Sequence, residues 1–297
     1  MAGKTRAGRK LKMTRKAKRT REAVGGGRAF WIATNKQKTI QERVSALAHV
    51  PMAVGEGDNN LQAVLGVLRD VKEPIEVRLA ALQSLQAASF SVVAFESSSG
   101  DYRATLRNIA QDENPELRER ALSVLAQQKD GFAQKKLLEG LQNPQKALVP
   151  PQKALQLLSY DVHADAYKAA RAIVNSPPNP VAKSEALRLL SADATAAPMF
   201  EKILLDKSES RENRQLSASA LHALDPEKMQ TLARDIVLDA SDYDDIKATS
   251  LTALTQFGDN AAFARDQTLR KSVDLMKTRG SDELQLSASQ FLSKLEA

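Results

Sequence analysis

The sequence predicts an all-α protein: a right-handed α-solenoid of about seven to eight helix pairs over residues 39–297, behind a disordered basic N-terminal arm over residues 1–38. Three observations carry this. Aromatic residues make up 4% of the chain, while Ala, Leu, Gln and Ser dominate; that is a composition of helix formers, not of the β-branched and aromatic residues that strands favour. A small and a large apolar residue, followed three positions on by another apolar one, recur at a regular interval. The charge, finally, is divided unevenly between the first 38 residues and the rest.

The repeat justifies the elements in chain order. Its first copy is Ala46-Leu47-Val50, and Glu73-Pro74 punctuates the chain before the second, Ala81-Leu82-Leu85. Ala121-Leu122-Leu125 is the third, then Ala154-Leu155-Leu158, Ala186-Leu187-Leu190, Ala220-Leu221-Leu224 and Ser250-Leu251-Leu254, with a degenerate last copy at Gln290-Phe291. From Leu47 to Phe291, 244 residues make seven steps of about 35, the period of helix-pair solenoids. The pentapeptide Gln215 to Ser219 returns as Gln285 to Ser289 in the same register. In the third copy, Asn114 is placed to cap a helix that Pro115 opens. Leu117, Ala121, Val124 and Leu125 then share one face. Lys129-Asp130-Gly131 breaks the stripe, a second one follows at Ala133, Leu137, Leu138 and Leu141, and Asn143-Pro144 ends it. Pro150-Pro151, Ser176 to Pro180, Asp225-Pro226 and Gly258-Asp259 mark later turns. The two steps of 40 residues are expected to hold longer helices or loops, notably around Ser89 to Gly100.

On these residues the chain resembles the HEAT-repeat family, in particular its short PBS-lyase-like variety. Asn114-Pro115, Leu117-Arg118 and Ala121-Leu122-Leu125 match its opening and first helix, as do Pro74, Val77-Arg78 and Ala81-Leu82-Leu85; Phe257-Gly258-Asp259 matches its turn. The likeness covers roughly residues 39 to 297. It implies HEAT-like helix pairs and says little about function, because such repeats carry unrelated sites. Most copies lack the turn glycine, and Pro151, Ser217 and Ser287 stand where the first-helix Arg would be. Deoxyhypusine hydroxylases of this family bind iron through His-Glu pairs, whereas His49, His163 and His222 precede Val, Ala and Ala. The HEAT-like DNA glycosylases use aromatic residues in which this body is poor. A connection to bilin lyases stays open.

Residues 1–38 carry thirteen Lys or Arg against the single acid Glu22, a net charge of +12, so the other 259 residues sum to −5. An arm without apolar periodicity cannot offset its ordering entropy. Arg9, Lys10, Lys12, Arg15, Lys16, Lys18, Arg19 and Arg21 form its densest part, a candidate surface for nucleic acid or another anionic partner; a merely solvated tail is the alternative. Phe30-Trp31-Ile32, after the hinge Gly25 to Gly27, reads either as an anchor for a partner's groove or as a cap on the solenoid's open end. Stacking on bases is a weaker third reading.

A basic column runs through the body: Arg43, Arg78, Arg118, Lys183 and Lys247 all stand four residues before the repeat marker. Such a row could bind an acidic peptide or a phosphate backbone. Alternatively it forms an inter-repeat ladder of ion pairs. Signals for catalysis fail. No cysteine is present, Gly3-Lys4-Thr5 lacks the rest of a phosphate loop, and Asp161, His163 and Asp165 look like helix caps rather than metal ligands. Asp239, Asp242, Asp244 and Asp245 lack the glycine and terminal glutamate of a calcium loop. The expectation is a non-catalytic scaffold without cofactor or metal that binds another protein, with a nucleic-acid-associated factor as the alternative. With no apolar stretch of spanning length and no secretory signal in view, the expected address is the cytoplasm, or the nucleus in a eukaryote.

Overall fold

The computed structural model describes residues 27–50, 58–91 and 95–296, and among them there are helices and short connections but no strand. Arg9, Lys10, Lys12, Arg15, Lys16, Lys18, Arg19 and Arg21 lie outside the described residues. The chain divides into two compact units, one ending at Val149 and one starting at Pro150.

The first unit holds α1 (27–34), α2 (Ile40–Leu47), α3 (Asp58–Arg69), α4 (Ile75–Ala88), α5 (Ser99–Ile109), α6 (Pro115–Gln127) and α7 (Gly131–Gln142). The second holds α8 (Pro151–Leu158), α9 (Ala164–Asn175), α10 (Pro180–Leu190), α11 (Ala197–Leu205), α12 (Arg211–Leu224), α13 (Pro226–Leu238), α14 (Asp244–Phe257), α15 (Asn260–Arg265), α16 (Gln267–Arg279) and α17 (Asp282–Glu296). The helices carrying the repeat marker stack on one another in each unit: α2 on α4 and α4 on α6, then α8 on α10, α10 on α12, α12 on α14 and α14 on α17. Most also pair with the helix before them, as α4 with α3 and α14 with α13. All eight markers, from Leu47 to Phe291, are at most 1% exposed, so the stripe seen in sequence is the core face.

The helix boundaries follow from local chemistry. Thr39 and Glu42 form a reciprocal capping box at α2. Asn114 accepts hydrogen bonds from the backbone N–H groups of Glu116 and Leu117, with Pro115 beside it. At the end of α6, Lys129 takes φ 54°; its N–H donates to the Ala126 carbonyl and that of Asp130 to the Leu125 carbonyl. This is the Schellman arrangement, with a lysine where glycine is usual. Gly258 ends α14, and a Cβ there would lie 2.4 Å from the Leu254 carbonyl oxygen, so the close turn needs glycine. The first long step contains the 3₁₀ turn Glu96–Ser98, and the second contains the extra helix α15.

One expectation about the arm changes. Residues 27–34, assigned to it from sequence, form α1. Their Ala29, Phe30 and Ala33 are buried, which is the apolar spacing of one helix face. Among the described residues no helix is long and apolar enough to cross a membrane.

Candidate functional site

The basic column is where sequence chemistry and geometry meet. Arg43, on α2, donates from Nε to the Ala33 carbonyl oxygen at the end of α1 (2.9 Å) and from a terminal nitrogen to Glu73, just before α4 (2.6 Å). Arg78, on α4, repeats this with the Leu68 carbonyl of α3 (3.1 Å) and with Asp112 before α6 (2.5 Å). In both cases Nε reaches the carbonyl ten residues back, near a helix C-terminus whose last carbonyls have no helical partner. The guanidinium then bridges to a carboxylate of the next repeat. Arg118 joins the Asp112 carbonyl to that of Leu148, and Lys183 pairs with Glu209 before α12. These four cations therefore hold repeats together; Arg43 and Arg78, at 3% and 5% exposed, are closed to a partner.

The marker frame misses a rung. Arg214 donates to the Leu204 carbonyl, again ten residues back, and bidentately to Asp242 at 2.8 and 2.7 Å. It stands seven residues before Leu221, not four. The frame of α12 is thus displaced by one turn, and Ser217, fully buried, occupies the small-residue position and not that of the arginine. The pentapeptide aligns Arg214 with Leu284, which places α17 in the same displaced frame.

A second ladder was not legible. Arg107 of α5 grips Asp130, Arg171 of α9 pairs with Asp193, and Arg234 of α13 donates to Asp266 (2.7 Å). Each of these aspartates also caps the start of a following helical segment. An arginine some 22–32 residues before a capping aspartate is the signal that could have found them. Side chains 34 residues apart also meet directly, as in Lys36 with Asp70, Arg211 with Asp245, Gln215 with Thr249 and His222 with Gln256, which is the repeat period expressed as contact.

The acidic groups are held ionised by these partners. At Asp242 burial alone would raise the pKa, but the bonds from Arg214, Lys207 and the Tyr243 N–H outweigh it and the net shift is downward. Asp112, Asp130 and Glu209 show the same balance: burial opposes, while Arg78, Arg107 and Lys183 respectively prevail. A carboxyl whose pKa is lower folded than unfolded contributes stability that is complete above the ordinary carboxylate range, about 4, and drains as pH falls through its folded value. Urea midpoints are expected to stay level from about pH 7 to 5 and to drop steeply below about 4. A midpoint still level at pH 2.5 would contradict this account of the ladders.

Other sequence candidates find structural partners. Asp239 and Asp242 receive Lys207, and Asp245 receives Arg211. The Asp244 carboxylate accepts the Ser281 N–H at 2.7 Å. His163 occupies the N-cap of α9 without a side-chain capping bond, contrary to its reading as a cap. His49 meets the Ser45 carbonyl. Among the described residues no group of three or more His, Cys, Asp or Glu side chains is arranged to hold a metal ion. Phe30, expected as a partner contact or as a cap on the solenoid's open end, is 4% exposed and belongs to the core, whereas Trp31 is 58% exposed, with Lys38 Nζ 6.0 Å from its ring centre.

Lys247 departs from the pattern. It is 7% exposed, yet among the described residues its side chain has no hydrogen-bond or ion-pair partner. It lines a cavity of about 240 Å³ between α13, α14, α16 and α17.

Fold and ladders together define an all-helical protein of HEAT-like repeated helix pairs. Among solved structures, the chain is similar to an engineered protein (16% identity, TM-score 0.47, covering 91% of this chain and 83% of that one). It is also similar to human deoxyhypusine hydroxylase in complex with glycerol (15%, 0.36, 80% and 96%) and to the complex of CpcE and CpcF of phycocyanin lyase from Nostoc sp. PCC7120 (16%, 0.28, 90% and 93%). No protein-family model and no curated protein matches the chain.

Proposed function

We propose that the protein is a non-catalytic interaction scaffold: exposed helix faces of the repeats bind another protein, and the basic N-terminal residues act as an electrostatic tether. The observation that carries this reading is the pair of ladders. Most cations of the basic column, and the carboxylates they meet, are committed to joining one repeat to the next. Recognition is left to outer faces such as the groove of about 740 Å³ lined by Arg188, Arg211, Leu216, Ser219 and Asp245, where charge of both signs surrounds an apolar floor.

One observation favours a second reading. Residues 1–26 carry ten Lys or Arg and one Glu, a charge density suited to neutralising phosphates, with affinity that would fall steeply with salt. Both readings are tested by capturing partners of the full-length protein from the cells that make it, with and without nuclease, beside a chain lacking residues 1–26 and one carrying Arg188→Glu with Arg211→Glu. A protein partner that survives nuclease and truncation but is lost with the charge reversals is the expected result. Loss of everything with the arm or with nuclease overturns the scaffold reading in favour of the nucleic-acid one.

A further inference from the structure

Four buried or half-buried cations, Arg43, Arg78, Lys183 and Arg214, each receive a carboxylate placed two or three residues before the next marker helix: Glu73 before α4, Asp112 before α6, Glu209 before α12 and Asp242 before α14. The corresponding position before α17 is Gly280, preceded by Arg279. A Cβ on Gly280 would lie 2.8 Å from Leu284 Cδ2 and 3.0 Å from the Met276 carbonyl oxygen, so a side chain there would require Leu284 to shift. The rung before α17 thus has no acid at that position, as the rung of Arg118 has none. Lys247, over nine-tenths buried, lines the cavity described above.

The lining of that cavity sets the chemistry of its occupant. Val237, Leu238, Leu275, Met276 and Leu284 make its walls apolar, while Lys247 and the exposed Arg279 supply positive charge. Asp244 is the one carboxylate of the lining, and its Oδ2 is engaged by the Ser281 N–H. The Lys247 side chain has no hydrogen-bond or ion-pair partner among the described residues, and an anion that brings its own hydrogen-bond acceptors supplies one. A cavity of about 240 Å³ has room for a carboxylate and a short chain of methylene groups. We infer that the cavity beside Lys247 binds a carboxylate on a short aliphatic stem, supplied from outside in place of the acid that this rung lacks. That chemistry is shared by a small dicarboxylic acid and by a glutamate side chain of a bound protein. In the second case the inference rests on the scaffold reading and deepens it.

The test uses the full-length protein at fixed ionic strength. Binding of glutarate, of N-acetylglutamate N-methylamide and of the uncharged N-acetylglutamine N-methylamide is followed by saturation-transfer NMR and by shifts of the Met276 and Leu284 methyl signals. The expected result is saturable binding of at least one acid, no binding of the glutamine compound, and at least a tenfold loss of affinity in Lys247→Met. Preference for glutarate identifies a free acid as the source, and preference for the glutamate compound a protein side chain. Lys247→Gln supplies the same comparison if the Met variant fails to fold. The inference is overturned if neither acid saturates, or if the uncharged variants bind as the wild type does. A captured protein that survives without carboxylate binding removes this site and leaves the scaffold reading intact; carboxylate binding without a captured protein does the reverse.

Discussion

Arg214→Ala is expected to destabilise the unit that begins at Pro150 by about 2–3 kcal/mol, because it removes the bidentate partner of the almost fully buried Asp242 carboxylate and leaves it only Lys207 and the Tyr243 N–H. It also removes the donor to the Leu204 carbonyl. The neighbouring Arg211→Ala, which breaks a pair whose arginine is more than half exposed, is expected to cost no more than about 1 kcal/mol. Replacing both members of the buried pair with apolar residues, Arg214→Met with Asp242→Leu, should recover most of the loss, since no buried charge is then left without its partner. Urea denaturation of the three variants decides the matter. Equal midpoints for Arg214→Ala and Arg211→Ala would show that the ladder does not hold the repeats together.

The second large effect is expected at the N-terminal helix. Phe30→Ala removes a buried ring from α1 and should cost about 3 kcal/mol or more, whereas Trp31→Ala, on the exposed side of the same helix, should change stability by roughly 0.5 kcal/mol or less. Amide hydrogen exchange over residues 27–34 reads this directly: protection is lost in the first variant and kept in the second. The reverse order would restore Phe30 to the surface and make the pair an anchor.

The architecture was legible because burial and period coincide. A residue such as Leu122 recurs every 35 or so positions, and nothing but a buried stripe keeps an apolar residue in that register. Most of the punctuation was legible for the same local reason, since Asn114-Pro115 and Gly258-Asp259 act on backbone groups within a few residues. The role of the basic column was legible only as two alternatives, a ladder between repeats or a binding row. A cation that neutralises a partner and one that ties α4 to α6 differ only in whether Asp112 lies within reach, and that is set by packing. Arg214 escaped because α12 offers two apolar stripes one turn apart, so a frame fixed on Leu221 falls three residues late. α1 was hidden by its surroundings: Ala29, Phe30 and Ala33 make a helix face, but they follow three glycines and a basic run. That Lys247 lines one cavity with Arg279 and Leu284 is set by packing across a turn, which no spacing rule reports.

The reach of each arginine has a consequence for how such a chain can change over time. Arg43, Arg78 and Arg214 each look back ten residues to a carbonyl and forward about thirty to a carboxylate, so every cross-link closes within neighbouring repeats. Duplication or excision of one whole repeat in register gives each cation a new carbonyl and a new acid of the same kind. Loss of a single helical turn between an arginine and its acid does not, and leaves a charge buried alone. Lineages of this protein are therefore expected to vary in length by whole repeats and to tolerate shorter insertions only in turns that no ladder spans.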